Sequence, residues 1–600
     1  MTTRTRLLLT IVVATAALLI GAGPARQAGP RIFEIQGHSH RSPLAGQRVE
    51  GVAGIVTAVR PNGFYLQDPA GDGDPVTSDA LFVFTRAAPT VLVGDSATVS
   101  GQVQEFRPND DDLGLALTEI VASNVAVESH DNPLPPPVVI GRGGRTVPGR
   151  LVADPDAGDR EAGGPLQPEV SALDFFESLE GMWVQLNDAV IVGRRGGAGG
   201  ELPVLPDDGA DAAGRTSRGG VLAAAPGAAP PALLLVDGTI RTPPASVGDR
   251  FPGSTIGVVD YANDRYVVRV SELPSLVLGG LEPERAAPAG PEQLSLATFN
   301  VENTSPRERA AKVARLAETI VDRLGGPDLL AIEELQDDSG AADDGVVTGG
   351  RTARALIDAI QAAGGPAYQY REIAPVNNQD GGEPGGNIRV GFLVRTDRGL
   401  AFVDRPGGDA TTAVSVVADA DGGHPSMSPG RIQPDSPAWT DSRKPLVGEV
   451  TFQGQRLIVV GCHFVSKRGD QPTFGRFQPP TRASEAQRTE QAGLVNGFVR
   501  DLLAADPSAR IVVLGDLNDG PASATLAALR GDQLTNLIET LPEAERYSYV
   551  FGGQSEAIDQ ILISPGLLAA APTVDVVHVN AEFITGVSDH DPVLARFTLP

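Results

Sequence analysis

The stretch LSLATFNVENTSPRERAAKVARLAETIVDRLGGPDLLAIEEL, residues 294–335, decides the fold of the last half of the chain. It begins with LSLATF and ends close after DLLAIE, two short apolar runs that are typical of buried strands. Between them, apolar side chains recur at spacings of three and four, as on one face of a helix: Ala310, Val313, Ala317, Ile320 and Leu324. A strand, a helix and a second strand in this order predict a layered α/β domain.

The two ends of this helix carry their own signals. Ser305, Pro306 and Glu308 predict a start with an N-cap, a proline at the first helical position and a capping box. Gly325 predicts the end, because a glycine readily takes the conformation that follows a last helical turn. The helix is therefore expected to fill most of the connection between the two strands.

Polar residues follow several apolar runs of this domain. A crossover between parallel strands brings their carboxyl ends to one edge of the sheet, so we expect Asn300 and Glu334 to lie close together. Later apolar runs also end in polar residues: RLIVVGCHF in His463, IVVLGDLND in Asp516 and Asn518, SEAIDQILIS in Asp559, and GVSDHDPV in the segment around His590. Each alone has an ordinary explanation, such as a turn cap or a solvated strand end. Together they predict a functional site, because catalytic groups gather at strand ends.

The N-terminus has the layout of a secretory signal peptide. Arg4 and Arg6 precede an apolar run over residues 7–20 and small residues up to Ala25. The run is short of the ~20 residues that a membrane-spanning helix needs. We expect a signal peptide over 1–25 and an exported mature chain with no membrane span, with a retained N-terminal anchor as the alternative.

Composition sets further bounds. A chain of 600 residues is too long for one hydrophobic core and predicts several domains. Cys462 is the only cysteine, which excludes an internal disulfide. The net charge of -27 argues against a protein that coats nucleic acid through a general basic field, although a local basic patch would still suit a nucleic-acid substrate.

Strand-like runs and Pro-rich linkers divide the chain after the signal peptide. The expected segments are a small β-barrel over 33–130, a second β-rich unit over 138–281 with a flexible Gly/Ala/Pro-rich insertion near 195–231, a linker over 282–293, and the α/β domain over 294–600. His38 and His40 have no partner that the sequence reveals, and both are predicted to be surface residues.

Six motifs in the last segment carry a resemblance to a known family. TFNVEN, LLAIEEL, GCHF, LGDLND, AIDQIL and SDHDPV occur in the order found in the endonuclease/exonuclease/phosphatase superfamily, which this segment resembles. The resemblance implies a four-layer α/β sandwich, in which two packed β-sheets are flanked by helices. The segment from FEIQGHSH through GFYLQD is similar to the oligonucleotide-binding (OB) fold found ahead of the nuclease domain in large secreted bacterial nucleases.

The resemblance implies a metal site. Asn300 and Glu334 match the metal-binding pair of the family, and Asp589 matches an additional carboxylate on the metal side. Hard oxygen ligands suit Mg²⁺, with Mn²⁺ and Ca²⁺ as alternatives. Glu333 stands where the family often has Gln. Because neighbouring residues on a strand point to opposite faces, only one of the two glutamates is expected to reach the metal, and we predict Glu334.

The resemblance also implies the catalytic groups. Asp516 and Asn518, expected on one face, match the residues that orient the attacking water and the scissile phosphate. His590 matches a histidine that a second carboxylate, here Asp559, holds and polarises. His463 matches a histidine of the deoxyribonuclease, sphingomyelinase and phosphatase branches, which argues against a dedicated repair enzyme. The implied reaction is metal-assisted in-line hydrolysis, with the acid and base roles of the two histidines left open.

A basic loop with aromatic residues follows His463. Residues 463–488 hold five cationic residues and three phenylalanines, a mixture that suits phosphate contact and base stacking. Lys467 and Arg468 are the predicted phosphate contacts. A solvated loop with a few packed phenylalanines explains the same pattern equally well.

These observations predict an exported, divalent-metal-dependent nuclease that acts on DNA, with RNA as an open alternative. A phosphodiesterase or phosphatase of the same family acting on a lipid or sugar phosphate is the competing enzyme. A catalytically inactive nucleic-acid-binding scaffold is the competing non-enzyme, but every key polar residue of the motifs is present. No protein partner is implied, and retention at the cell surface stays open.

Overall fold

The computed structural model describes residues 1, 29–109, 112–197, 199–225, 227–419 and 422–599. The predicted signal peptide over 1–25 lies almost wholly outside the described residues. In the described ranges, no helix is both long enough and apolar enough to cross a membrane.

The first unit is a closed five-stranded barrel. Its elements are α1 (Ile32–Gln36), β1 (Arg48–Arg60), β2 (Gly63–Gln67), β3 (Ala80–Phe84), β4 (Ser96–Phe106) and β5 (Leu117–Ser129). The strand order is β1-β2-β3-β5-β4, β4 returns to β1, and β3 runs parallel to β5. Val52, Phe64 and Val99 fill the barrel. A closed Greek-key barrel of five strands is the architecture of the OB fold.

The second unit repeats this order. Its elements are β6 (Val138–Ile140), β7 (Gly158–Asp159), α2 (Ala172–Glu177), β8 (Trp183–Ile191), β9 (Leu202–Leu205), β10 (Leu233–Val236), β11 (Arg250–Ala262) and β12 (Arg265–Glu272). The order β8-β9-β10-β12-β11 closes through pairing of β11 with β8, and β10 runs parallel to β12. The second unit is therefore also an OB-like barrel, to which β6 adds an extra strand.

Residues 218–223, within the insertion near 195–231 that was predicted to be a flexible loop, pack against the last domain. The Ser555 N–H donates to the Val221 carbonyl at 2.7 Å, and the Ala223 N–H donates to the Ser555 carbonyl at 2.9 Å. The Arg218 guanidinium pairs with Glu582 at 2.7 Å and with Glu284 at 2.8 Å. These contacts hold the insertion as an ordered bridge between domains.

The prediction that His40 lies on the surface is wrong. Its side chain is buried, with Nε2 2.7 Å from Asp174 Oδ1 and Nδ1 3.1 Å from Glu177 Oε2. Burial lowers the pKa of His40, but the charges of Glu177 and Asp174 outweigh burial and raise the pKa to about 9. Both partners lie on α2, so His40 links the first barrel to the second.

The last domain contains two large β-sheets. The first has the order β15-β16-β14-β13-β30-β29 and consists of β13 (Gln293–Thr304), β14 (Leu329–Leu335), β15 (Tyr368–Arg371), β16 (Arg389–Arg395), β29 (Thr573–Val576) and β30 (Val593–Thr598). The second has the order β17-β21-β22-β24-β28-β25, with β20 on β21, and consists of β17 (Leu400–Phe402), β20 (Gly430–Arg431), β21 (Leu446–Phe452), β22 (Gln455–His463), β24 (Ile511–Asp516), β25 (Thr535–Asn536) and β28 (Asp559–Ile563).

The remaining helices and short strands complete the domain. They are α3 (Ala310–Glu318), α4 (Gly350–Ala362), β18 (Val416–Asp419), β19 (Gly422–Pro425), β23 (Phe477–Gln478), α5 (Ala483–Ala505), α6 (Ala524–Arg530), β26 (Tyr549–Phe551), β27 (Gln554–Glu556) and α7 (Pro565–Leu568). β26 and β27 form a hairpin, and β23 pairs with β7 of the second barrel.

Three apolar cores stack these elements into four layers. Leu296, Phe392 and Val459 belong to the core between the two sheets. α3 and α4 pack on the outer face of the first sheet, and α5 and α6 pack on the outer face of the second. The predicted four-layer α/β sandwich, preceded by β-barrels, is confirmed.

The first helix of this domain begins later than predicted. α3 starts at Ala310, because Ser305 to Glu308 form a turn in which the Glu308 N–H donates to the Ser305 carbonyl at 3.1 Å. β13 continues to Thr304, and the predicted cap residues form the turn that follows this strand. Gly325 does lie beyond the helix end, with a φ of 73°.

Candidate active site

Strand register gathers the predicted polar residues at one end of the sandwich. His463 on β22 lies opposite Asp516 on β24, and Asp516 lies opposite Asp559 on β28. In the first sheet, Asn300 on β13 lies opposite Glu333 on β14. The two sheets pack face to face, so these strand ends converge on one buried pocket.

His590 is fixed by Asp559. His590 Nδ1 lies 2.8 Å from Asp559 Oδ2, and the Ser548 hydroxyl donates to the same oxygen at 2.7 Å. His590 Nε2 faces Asp516 Oδ2 at 3.9 Å. Burial lowers the pKa of His590, but the charges of Asp559 and Asp516 outweigh burial and hold the pKa well above its usual value.

His463 approaches the same aspartate from the other strand. Its Nε2 lies 3.5 Å from Asp516 Oδ2 and 3.9 Å from Glu334 Oε1. Burial, the Arg443 guanidinium and His590 together hold the pKa of His463 well below its usual value. The two histidines therefore have pKa values shifted in opposite directions, a pattern expected of an acid and a base in one site.

Glu334 reaches the pocket, but not for the reason that strand alternation gave. Glu333 also points inward: its side chain is fully buried and accepts a hydrogen bond from the Thr298 hydroxyl at 2.7 Å. Burial raises the pKa of Glu333 well above its usual value. Glu334 has a φ of 61°, and the strand register shifts at this point. The left-handed residue breaks the alternation, so both glutamates lie at the site.

Glu334, Asn300 and Asp516 are in contact. The Asn300 amide nitrogen donates to Glu334 Oε1 at 3.1 Å and to Asp516 Oδ2 at 3.2 Å, and the Asn303 N–H donates to Glu334 Oε2 at 3.0 Å. The amide nitrogen of Asn300 thus faces both carboxylates. A half-turn of the amide would present its oxygen to a cation instead.

The donor set fits a divalent cation. Ligand atoms of Asp516, Asp559 and His590 lie within 4.8 Å of one another, and Glu334 adds a further carboxylate. The pKa of Asp516 is raised to about 7. Burial is the main cause, Asp559 and Glu334 also raise the pKa, and His590 lowers it. A bound cation would relieve this crowding of buried carboxylates, and their oxygens are ligands that Mg²⁺, Mn²⁺ and Ca²⁺ accept.

Asp589 and Asn518 lie at the margins of this cluster. Asp589 is partly exposed, with Oδ1 3.9 Å from His590 Nε2, and its charge raises the pKa of Glu302. Asn518 lies beyond the end of β24 with a φ of 52°, so the two-residue spacing from Asp516 is not a shared strand face. Its N–H donates to Asp516 Oδ1 at 2.9 Å and its amide donates to the Phe464 carbonyl at 3.0 Å.

The cationic and the aromatic residues of the basic loop after His463 have different surroundings. Lys467 and Arg468 are exposed, and Lys467 pairs with Glu556 of the β26–β27 hairpin. Phe474 instead packs on Phe176 and Tyr266 of the second barrel, with ring centroids 6.0 and 6.1 Å apart. The aromatic part of the loop therefore joins domains, as in the alternative interpretation of a loop with packed phenylalanines.

Several side chains at the site escaped the sequence analysis. Arg443 is buried and donates to the Phe464 carbonyl at 2.7 Å. Arg194 of the second barrel donates to the Ser588 carbonyl at 3.2 Å, and the Tyr549 ring lies 4.8 Å from that of His590. The run SRKP around Arg443 was the available signal for the first, whereas the contact of Arg194 spans 394 residues and leaves no local signal.

Comparison with known proteins identifies the class. Residues 297–590 match the model of the Endonuclease/Exonuclease/phosphatase family, and residues 139–277 match a domain of unknown function, DUF8508. The last domain belongs to the endonuclease/exonuclease/phosphatase superfamily. This membership supports a hydrolase that acts on phosphodiester bonds.

Solved structures with a similar fold cover about half of the chain. Humanized D. rerio TDP2 with 14 mutations is 18% identical, with 51% of this chain and 99% of that chain covered and a TM-score of 0.33. Truncated Caenorhabditis elegans TDP2 is 17% identical, with 51% and 97% covered and a TM-score of 0.33. The endonuclease/exonuclease/phosphatase from Bacteroides vulgatus is 15% identical, with 51% and 99% covered and a TM-score of 0.31. No curated protein matches the sequence.

Proposed function

We propose that the chain is an exported, divalent-metal-dependent nuclease that hydrolyses phosphodiester bonds of DNA, with RNA as a second substrate to be tested. The observation that carries the proposal is the convergence of His463 and His590 on Asp516, at 3.5 and 3.9 Å, beside the carboxylate of Glu334. Two imidazoles and buried carboxylates in one pocket suit in-line displacement at phosphorus.

Different side chains have different roles in the proposed reaction. A divalent cation, held by Glu334 and Asp516 with the Asn300 amide, would neutralise the anionic oxygens of the phosphate. Asp559 fixes the tautomer and orientation of His590 through the 2.8 Å hydrogen bond to Nδ1, which leaves Nε2 facing the pocket. His463 offers its Nε2 at the opposite side of Asp516. One imidazole takes a proton from water, and the other gives a proton to the leaving oxygen.

Nucleic acid is favoured over a lipid or sugar phosphate by the accessory domains. Two OB-like barrels precede the catalytic domain, and this architecture commonly binds oligonucleotides. Export is proposed from the N-terminal run of Arg4, Arg6 and the apolar residues 7–20. An inactive scaffold is disfavoured, because Asn300, Glu334 and both histidines are present and in contact with Asp516 or its neighbours.

The test is hydrolysis of circular DNA, linear DNA, RNA and sphingomyelin by the purified full chain, with and without EDTA. We expect nicking of circular DNA that EDTA abolishes and added Mg²⁺ restores. Asp559→Asn should remove the activity, whereas Asp501→Asn, on the exposed side of α5, should leave it intact. Cleavage of sphingomyelin alone would contradict the proposal in favour of the lipid phosphodiesterase.

A further inference from the structure

The second barrel reaches the catalytic pocket through the loop between β8 and β9. Arg194 on this loop donates to the carbonyl of Ser588, two residues before His590, at 3.2 Å. The guanidinium is only partly buried. Burial and the charge of Asp589 raise the pKa values of Glu302 and Tyr549, and the charge of Arg194 opposes this rise. The second barrel therefore contributes a positively charged side chain, Arg194, to the edge of the active site.

Aromatic rings continue from His590 toward the same barrel. The Tyr549 ring lies 4.8 Å from the His590 ring, and Phe551 lies 6.4 Å further along with its ring within 6° of parallel to that of Tyr549. Phe551 is 53% exposed. Both rings belong to β26.

The last of these rings, that of Phe551, is in contact with the second barrel. The Arg265 guanidinium, at the start of β12, lies 5.3 Å from the centroid of the Phe551 ring. It is also 3.9 Å from Glu201, so it is held in place from its own barrel. We call the surface formed by Arg194, Arg265, Tyr549 and Phe551 the aromatic ledge.

The ledge coincides with the ligand loops of an OB barrel. Arg194 lies in the loop between the first and second strands of the barrel, β8 and β9, and Arg265 follows the loop between the fourth and fifth strands, β11 and β12. OB folds bind oligonucleotides through these two loops. The exposed ring of Phe551 and the partly exposed ring of Tyr549, with two arginines beside them, are the elements of a single-strand platform, in which bases stack on rings and cations contact phosphates.

We propose that the second barrel is part of the substrate site and binds a single strand of nucleic acid next to the scissile phosphate. Bases of the strand stack on Tyr549 and Phe551, and its phosphates contact Arg194 and Arg265. The inference rests on the proposed nuclease function. A single strand is specified because the bases of a duplex are paired and stacked on each other, and so cannot lie on the rings.

The first experiment measures binding and turnover of a single-stranded oligonucleotide of about 12 nucleotides by the full chain, with binding measured in EDTA. Phe551→Ala should weaken binding and raise KM about tenfold while kcat changes little, because stacking on an exposed ring is lost. Hydrolysis of bis(nitrophenyl) phosphate, which is too small to reach Phe551, should stay at the wild-type rate.

Leu568→Ala is the matched control. Leu568 is 46% exposed on α7, which follows the far end of β28 from Asp559. This variant should bind the oligonucleotide as the wild type does. Unchanged oligonucleotide binding by Phe551→Ala, or an equal loss on the small diester, would overturn the ledge while leaving the nuclease assignment intact. A wild type that hydrolyses the small diester but neither binds nor cleaves any oligonucleotide would overturn the proposed function as well.

The second experiment separates charge from shape. The logarithm of the affinity falls as the logarithm of the salt concentration rises. Arg194→Ala and Arg265→Ala should each make this slope shallower by about one, because each removes one phosphate contact. Arg194→Lys should restore most of the slope, since the charge returns. A salt slope in Arg194→Ala and Arg265→Ala that equals the wild-type slope would overturn the phosphate contacts.

Discussion

Asp516 Oδ2 lies between the two histidines of the site, 3.5 Å from His463 Nε2 and 3.9 Å from His590 Nε2. The register of β22, β24 and β28 produces this arrangement, because it sets His463, Asp516 and Asp559 on neighbouring strands at one level. The imidazoles share a carboxylate, yet Arg443 lies near His463 and Asp559 binds His590. These different surroundings hold the pKa of His463 below its usual value and the pKa of His590 above it.

The first prediction concerns the two adjacent glutamates. Glu334→Gln should lower kcat at ordinary Mg²⁺ by at least about a hundredfold, because a carboxylate in contact with Asn300 and near His463 is lost. Glu333→Gln should keep activity within a few-fold, because burial raises the pKa of Glu333 well above its usual value and an uncharged amide has the same shape as the carboxyl group. Steady-state rates against Mg²⁺ concentration check both variants. Equal losses would contradict the assignment of Glu334 as the metal ligand.

The second prediction concerns His578, which follows β29. Its side chain is buried, 3.1 Å from Asp591, and its ring stacks on Tyr547 at 4.1 Å. His578→Ala should lower the free energy of unfolding by about 1 to 3 kcal/mol, because a hydrogen bond and ring packing are lost. The folded variant should retain its kcat, as measured after correction for active protein. A deep loss of kcat in fully folded His578→Ala would place His578 in the catalytic machinery.

The third prediction concerns pH and His40. Its pKa is about 9 in the folded chain and 6.5 in the unfolded chain, so the folded state holds the proton more tightly. The stabilisation is therefore complete below pH 6.5 and is lost as the pH rises through 9. Its size is on the order of 3 kcal/mol.

Urea unfolding of the wild type and of His40→Gln at several pH values checks this. The difference in stability between the two proteins should shrink as the pH rises from 6.5 to above 9. His130→Gln is a suitable control, because the His130 side chain is 67% exposed, whereas that of His40 is buried. A difference between wild type and His40→Gln that does not change with pH would contradict the raised pKa.

The sequence motifs were sufficient for the family and for the sandwich, because buried strands and their polar ends are local features. The structure brings Asn300, Glu334, His463, Asp516, Asp559 and His590 into one pocket, as the motif order led us to expect. Strand alternation did not predict that Glu333 also lies at the site, because the positive φ of Glu334 breaks the alternation and leaves both side chains there. The capping signals at Ser305 were real but belong to a turn at the end of β13.

Contacts between distant segments could not be predicted. His40 and Asp174 are 134 residues apart, and Arg194 and Ser588 are 394 residues apart, so no local pattern links them. The Gly/Ala/Pro-rich insertion had the composition of a free loop, but its backbone groups bond to Ser555. In each case the docking of one domain on another supplies the partner, and periodicity within a segment carries no information about that docking.

The most direct test of the two-histidine mechanism is the rate of nitrophenyl phosphodiester hydrolysis by His463→Ala and His590→Ala, compared with the rate on a diester whose leaving alcohol needs a proton. One histidine protonates the leaving oxygen, so its variant should recover on the nitrophenyl substrate, which leaves without a proton. The other activates water, so its variant should stay inactive on both. Recovery of exactly one variant is the predicted result, and equal recovery of both would contradict the two-histidine mechanism.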